Sequence, residues 1–257
     1  MKIMIRTGFW ISLAFVVLGW RIARADTVNV AVAANFIDTA REIARAFQET
    51  TGHQAQLSFG ASGQFYTQIK LGAPFQIFLS ADDTRPRKLI DEGLGVADEE
   101  FIYAIGKLVL WSPKPGLVIN EETLKRGSFT RIAIANPTLA PYGAAAVEVM
   151  NALDVYASLQ PKILLGNSLA QTFQFVKTEN ADYGFIALSQ ILKKKEGSFW
   201  IVPGNFYREI NQGAVLLKSG MNNVAARAFM TFLKSSKAQS IIRQHGYGTG
   251  ANVSRMK

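Results

Sequence analysis

The stretch Val28-Asn29-Val30-Ala31-Val32-Ala33-Ala34-Asn35-Phe36-Ile37 changes its hydrophobic period halfway along. Residues 28–33, Asn29 apart, are a short run of β-branched and small apolar side chains, the composition of a buried strand. From Phe36 onward, apolar residues recur at Ile37, Ala40, Ile43, Ala44 and Phe47, a spacing that predicts a helix running up to Gly52. The alternation then repeats. Residues 54–59 read as a strand, 65–71 as a helix, 76–80 as a strand and 85–92 as a helix stopped by Gly93. A βαβαβα series predicts an α/β fold with a doubly wound, mostly parallel sheet and helices on both faces.

The pattern restarts after a long extended stretch at 103–111, closed by Ser112-Pro113-Lys114-Pro115-Gly116. Strands are predicted at 131–135, 162–165 and 183–188, with helices at 143–153 and 169–178 between them. A second extended run at 212–218 precedes a last helix near 222–232. Two such series joined by two long extended segments predict two lobes with two crossover strands. Residues 26–107 and 217–257 form the first lobe and 108–216 the second. The run Lys193-Lys194-Lys195-Glu196 reads as a solvated helix end.

Composition narrows the chemistry. The 257 residues include 28 Lys and Arg, 19 Asp and Glu, two histidines and no cysteine, for a formal charge of +9. Without cysteine there is no disulfide framework, thiolate nucleophile, iron–sulfur ligation or Cys-type zinc site. Residues 1–25 carry the marks of a secretory signal peptide: Lys2 and Arg6, an apolar stretch at 9–20, and Ala23-Arg24-Ala25 before Asp26. Twelve apolar residues are short for a membrane span. Removing Lys2, Arg6, Arg21 and Arg24 leaves 24 basic against 19 acidic residues, a mild +5. No cysteine is available to carry a lipid anchor, so the mature chain is expected free in a bacterial periplasm. Its basic residues are dispersed among acidic ones, which does not suit nucleic acid.

In open α/β sheets, ligands sit where strands end and helices begin, because exposed N–H groups and helix dipoles point there. Four junctions stand out: 33–37, 60–64, 137–143 and 166–170. None contains Lys, Arg, His, Asp or Glu. A site built from them holds its ligand with neutral donors alone, and four converging dipoles of about +0.5 each supply roughly +2. That complements a fully deprotonated tetrahedral oxyanion, which offers only acceptors. Hydrogen phosphate would want an acceptor for its proton, an amino acid a cation, and ferric iron anionic ligands. Asn35 and Ser62, taken singly, are also ordinary N-cap residues.

The run Gly72-Ala73-Pro74-Phe75-Gln76-Ile77-Phe78-Leu79-Ser80-Ala81-Asp82 stands with Ala33-Ala34-Asn35-Phe36, Phe59-Gly60-Ala61-Ser62-Gly63 and Asp182-Tyr183-Gly184-Phe185-Ile186-Ala187-Leu188-Ser189. Together they closely resemble the periplasmic molybdate-binding proteins of ABC transporters, across essentially the whole mature chain. The resemblance implies a type 2 periplasmic binding protein: two lobes, two crossover strands and an oxyanion held in the cleft. It implies that Asn35, at a position that is Ser in one branch of the family and Asn in another, donates to the anion. Ser62 matches a hydroxyl-and-backbone donor, Tyr142 a second-lobe tyrosine, and Leu169 an apolar residue whose backbone N–H binds. Ala34 and Ala61 adjoin as backbone contributors. Ala34 departs from a hydroxyl residue of some relatives, and Ala187 from a tyrosine ligand of the other branch, which bears on selectivity.

Capture of molybdate and tungstate for a permease in the inner membrane is therefore expected. The protein is expected to be a monomer without cofactor or covalent step, meeting molybdenum only as the oxyanion and with no direct protein ligands to the metal. The alternatives are another small anion or a periplasmic serine hydrolase. For the hydrolase, Gly60-Ala61-Ser62-Gly63 has Gln64 where G-x-S-x-G needs glycine. His53 reads as an exposed loop residue and His245 as part of a C-terminal turn. Asp82-Asp83 reads as a cap for the following helix.

Overall fold

The computed structural model describes residues 25–194 and 196–249. The expected signal peptide, Ala25 excepted, lies outside these residues, as do Lys195 and 250–257. The chain enters β1 (Thr27–Ala33), α1 (Ile37–Thr51), β2 (Gln54–Gly60), α2 (Ser62–Lys70), β3 (Ile77–Leu79), α3 (Thr84–Asp91) and β4 (Gly95–Gly106). It continues through β5 (Leu108–Ser112), α4 (Glu121–Arg126), β6 (Ile132–Ala135), α5 (Pro141–Ala152), α6 (Tyr156–Leu159) and β7 (Ile163–Gly166). The remainder is α7 (Leu169–Lys177), β8 (Tyr183–Ala187), β9 (Ser198–Ile201), β10 (Ile210–Leu217), α8 (Val224–Leu233) and α9 (Ser236–Gln244). Among the described residues no helix is long and apolar enough to cross a membrane.

The strands form two five-stranded sheets, ordered β2-β1-β3-β10-β4 and β7-β6-β8-β5-β9. In the first, β1, β2 and β3 run parallel, and β10 lies antiparallel to both β3 and β4. The second repeats the plan, with β5 antiparallel to both β8 and β9. Each sheet is thus parallel but for one strand, and that strand is the one arriving from the other lobe. Register decides where the chain leaves each sheet. Ala33 pairs beside Gly60, and Ala135 beside Gly166, so the two strands leading each series end flush and release their chains side by side.

Helices cover both faces of each sheet. In the first lobe, Phe36, Ile43, Phe47, Phe229, Leu233 and Ile242 pack on one face, while Phe65, Ile69, Phe78 and Leu89 fill the other. The helical spacing of Ala40, Ile43 and Phe47 turns one side of α1 inward, and all three are buried. In the second lobe, Ile134, Val149, Met150 and Phe185 lie on the α5 side. On the α7 side, Trp111 stacks on Phe173 with ring centroids 5.1 Å apart. Each fully buried side chain of this size contributes about 1.5–3 kcal/mol of transfer free energy.

The structure corrects three readings. All of β10 is hydrogen-bonded in the first sheet, so the return to the first lobe falls at its start and not at 217. The extended segment near 103–111 is two strands, and β4 begins at Gly95, in a stretch whose Asp98, Glu99 and Glu100 hid it. An edge strand tolerates such residues, and Glu100 pairs with Arg87 at 2.8 Å. The lysine run is more than a solvated end: Lys193 binds Glu42 in α1 at 2.8 Å, and Lys194 lies 4.7 Å from the Phe173 ring centroid.

Candidate functional site

The flush strand ends place four helix starts around one point between the lobes. From β1 the chain makes a 3-10 turn, Ala34–Phe36, before α1. From β2 it passes through Ala61 into α2. In the second lobe, residues 136–140 lead β6 into α5, and Asn167 and Ser168 lead β7 into α7. A cavity of about 10 Å³ lies where they meet, lined by Ala34, Asn35, Ala61 and Ser62 from one lobe and Tyr142 and Leu169 from the other. All six residues singled out in the sequence are in this one place. No acidic side chain and no Lys, Arg or His lines it.

Ser62, the first residue of α2, is buried, and its Oγ accepts from Ala81 N–H at 2.9 Å. That bond uses an oxygen lone pair and leaves the hydroxyl hydrogen without an acceptor among the described residues. Tyr142 is the second residue of α5, and its oxygen accepts from Gln212 Nε2 at 3.3 Å, again leaving its hydrogen uncommitted. Burial first, and then the neighbouring Tyr247 and Tyr103, hold the Tyr142 pKa well above the ordinary phenol value, so it keeps that proton. The phenol fits because residue 106 is glycine: a Cβ there would lie 2.2 Å from the Tyr142 oxygen. Leu169 opens α7, after the Ser168 cap. The N–H groups of Ser62, Tyr142 and Leu169 fall in first helical turns, where no intrahelical acceptor exists.

The Asn35 side chain is engaged behind the cavity. Its Nδ2 donates to Gln212 Oε1 at 2.9 Å and to the Tyr247 hydroxyl at 3.1 Å, so both amide hydrogens are committed within the protein. The Asn35 backbone carbonyl accepts from the Tyr247 hydroxyl at 2.7 Å and the Ser189 hydroxyl at 3.0 Å. Tyr103, Ser189, Gln212 and Tyr247 are thus the site's neighbours that the sequence did not point to. Gln212, beside Asn211 at the start of the otherwise apolar β10, was the one local signal.

The lobes meet on both flanks of the cavity. On one, Gly63 N–H donates to Leu139 carbonyl at 2.9 Å, and Arg85, ion-paired with Asp82, donates to Thr138 carbonyl at 2.9 Å. A Cβ at Gly63 would come within 3.0 Å of the Leu139 backbone. On the other, Lys193 and His245 both reach Glu42 Oε2, at 2.8 and 2.9 Å. A much larger concavity, about 820 Å³, is an open groove beside the first flank, rimmed by charged groups such as Asp83, Lys88, Glu148 and Arg208. The small cavity is where the helix starts converge, and it is the chemically defined site.

Neither histidine serves Ser62. His53 is half-buried at the opposite end of β2, where its Nδ1 accepts from Asp26 N–H at 3.1 Å, rather than being an exposed loop residue. His245 is only 2% exposed and engaged with Glu42 and Lys193. Asp82 does cap the next helix, accepting from Arg85 N–H at 2.8 Å. Among the described residues no three His, Asp or Glu side chains gather as metal ligands.

Two α/β lobes of matching topology, closed on a small uncharged cavity lined by donors, define a bilobal solute-binding protein of the type 2 architecture. The chain belongs to the bacterial extracellular solute-binding protein family, whose model matches residues 28–248. It is 50% identical over 227 residues to the molybdate-binding protein of Rhodobacter capsulatus, covering 88% of this chain and 90% of that one. It is likewise 50% identical over 230 residues to the molybdate-binding protein of Azotobacter vinelandii, covering 88% and 91%. A solved structure of the Azotobacter vinelandii periplasmic molybdate-binding protein superposes with a TM-score of 0.84 at 41% identity, covering 86% of this chain and 99% of that one.

Proposed function

We propose that this protein captures molybdate, and tungstate with it, in the inter-lobe cavity and delivers the anion to the permease of an ABC importer. The observation that carries this reading is the chemistry of the cavity wall: two buried hydroxyls with uncommitted hydrogens and three first-turn N–H groups, with no formal charge. Ser62 and Tyr142 donate through their hydroxyls and backbone, Leu169 through its backbone, and Asn35, Ala34 and Ala61 complete the wall. Such a site suits a dianion that offers only acceptors, and disfavours one that brings its own proton. Binding is reversible, by closure of the lobes, and no bond is made or broken. The protein acts as a periplasmic monomer, exported by residues 1–25. The names of the relatives, at half identity over nearly their whole length, support the choice of anion.

Calorimetry against four tetrahedral anions tests it. Heat of binding and thermal stabilisation are expected with molybdate and tungstate, and neither with sulfate or phosphate. A stronger response to phosphate, or none to any of the four, overturns the assignment.

A further inference from the structure

A cluster of buried polar groups lies directly behind the cavity, and Gln212 is at its centre, fully buried in β10. Its Oε1 accepts from Asn35 Nδ2 at 2.9 Å and from the Tyr103 hydroxyl at 3.0 Å, and its Nε2 faces the Tyr142 oxygen at 3.3 Å. Turning the amide round would set its N–H groups against the Asn35 N–H, and although the Tyr103 hydroxyl could then donate to the Ser80 carbonyl at 3.1 Å, the Asn35 contact would be donor against donor, so the orientation seen is the one Asn35 selects. The constraint passes to Tyr142. A phenol has one hydrogen, and here its oxygen is already met by a donor, so the hydrogen is left for whatever occupies the cavity.

We infer that Gln212 is a positioning residue for the anion site: it fixes the Tyr142 hydroxyl as a donor toward the ligand. This rests on the binding function proposed above. Gln212 stands in the first lobe's sheet and Tyr142 in the second lobe's α5, so the orientation exists only while the lobes are together. The second lobe's side-chain donor is therefore polarised by the first. The same arrangement disfavours a ligand carrying a proton, because the Tyr142 oxygen is already occupied by the Gln212 amide.

Gln212→Glu provides the test, read as molybdate affinity by calorimetry from about pH 8 to about pH 5, above the range in which Glu42 titrates. As a carboxylate, the new side chain only accepts, and it draws the Tyr142 hydrogen away from the cavity. Protonated, it both accepts and donates, as the amide does. The titratable groups facing it are Tyr103, Tyr142 and Tyr247, all buried and all held protonated, so the wild type is expected to be flat across the range.

The expected result is affinity weakened about 10- to 100-fold at the upper pH and recovered toward the lower. In a Tyr142→Phe background, with no phenolic hydrogen to redirect, the added loss should be far smaller. Loss that is independent of pH, or equal in the two backgrounds, overturns the inference, the latter meaning charge repulsion alone. Should Gln212→Glu not fold, Gln212→Met is compared in the same two backgrounds, where equal losses again overturn it. If the wild type binds none of the tetrahedral anions, the functional reading falls and takes the inference with it. If it binds and the variants behave alike, the inference alone falls.

Discussion

The two lobes are built on one plan and do unequal work. Strand for strand, β2-β1-β3-β10-β4 corresponds to β7-β6-β8-β5-β9, and each lobe releases two helix starts from flush strand ends. In the first lobe the donor is fixed locally: Ser62 is oriented by Ala81, a neighbour in its own lobe. In the second, Tyr142 is oriented by Gln212 across the cleft. One half-site is thus finished before closure and the other is finished by it. A repeated scaffold does not imply repeated energetics, and lobe closure can be selective as well as enclosing.

If the scaffolds are equal, matched cuts into their cores should cost alike. Phe229→Ala in the first lobe and Phe185→Ala in the second, both fully buried, should each lower unfolding free energy by about 3–5 kcal/mol in denaturant titrations. A large disparity would break the equivalence. Gly106→Ala should separate stability from binding. Its Cβ would meet the Tyr142 hydroxyl across the lobes and, at 2.9 Å, the end of the Gln212 side chain within its own lobe, so molybdate affinity should fall by about 2–3 kcal/mol and the ligand-free stability by less. An equal drop in both would mean that Gly106 serves the fold alone.

Ser62→Ala should weaken affinity by about 1–3 kcal/mol, as expected for a hydrogen bond to a charged ligand, and unchanged affinity would reduce Ser62 to a helix-start residue. The smallest effect belongs to the flank. Lys193, then His245, hold the Glu42 pKa below the ordinary carboxylate value. The stabilisation is therefore complete above that ordinary value and is lost as pH falls through the lowered one. Both partners are more than a third exposed, so Glu42→Gln should cost about 0.5 kcal/mol of affinity at neutral pH and remove the acid-side decline. A decline that persists in the variant would place the titrating group elsewhere.

The sequence disclosed its features according to the range of their signals. The helix starts at Asn35, Ser62, Tyr142 and Leu169 were legible because strand-to-helix chemistry is local, and four uncharged junctions in two series form a pattern. The network behind them was not, because Asn35 meets Gln212 at a separation of 177 residues and Tyr247 at 212. No periodicity connects such positions, so the commitment of the Asn35 amide inward could not be read. Edge strands escaped for another reason. In β9, Phe199 and Ile201 are 44% and 47% exposed, and β4 carries three consecutive acidic residues, Asp98 exposed, Glu99 half-buried and Glu100 buried, so neither shows the pattern of a half-buried strand.

The crossover strand β10 also sets an order of assembly. In the first sheet β4 pairs only with β10, which separates it from β3. When the chain has emerged to residue 201, every strand of the second sheet is present, whereas β4 still has no neighbour. The later half of the molecule can complete its sheet first, and the earlier half must wait, with an open edge, for a strand more than a hundred residues downstream. Such long-range pairing is slow and leaves an exposed edge prone to wrong partners. The first sheet therefore cannot be complete before β10 is available, whatever state the second sheet has reached.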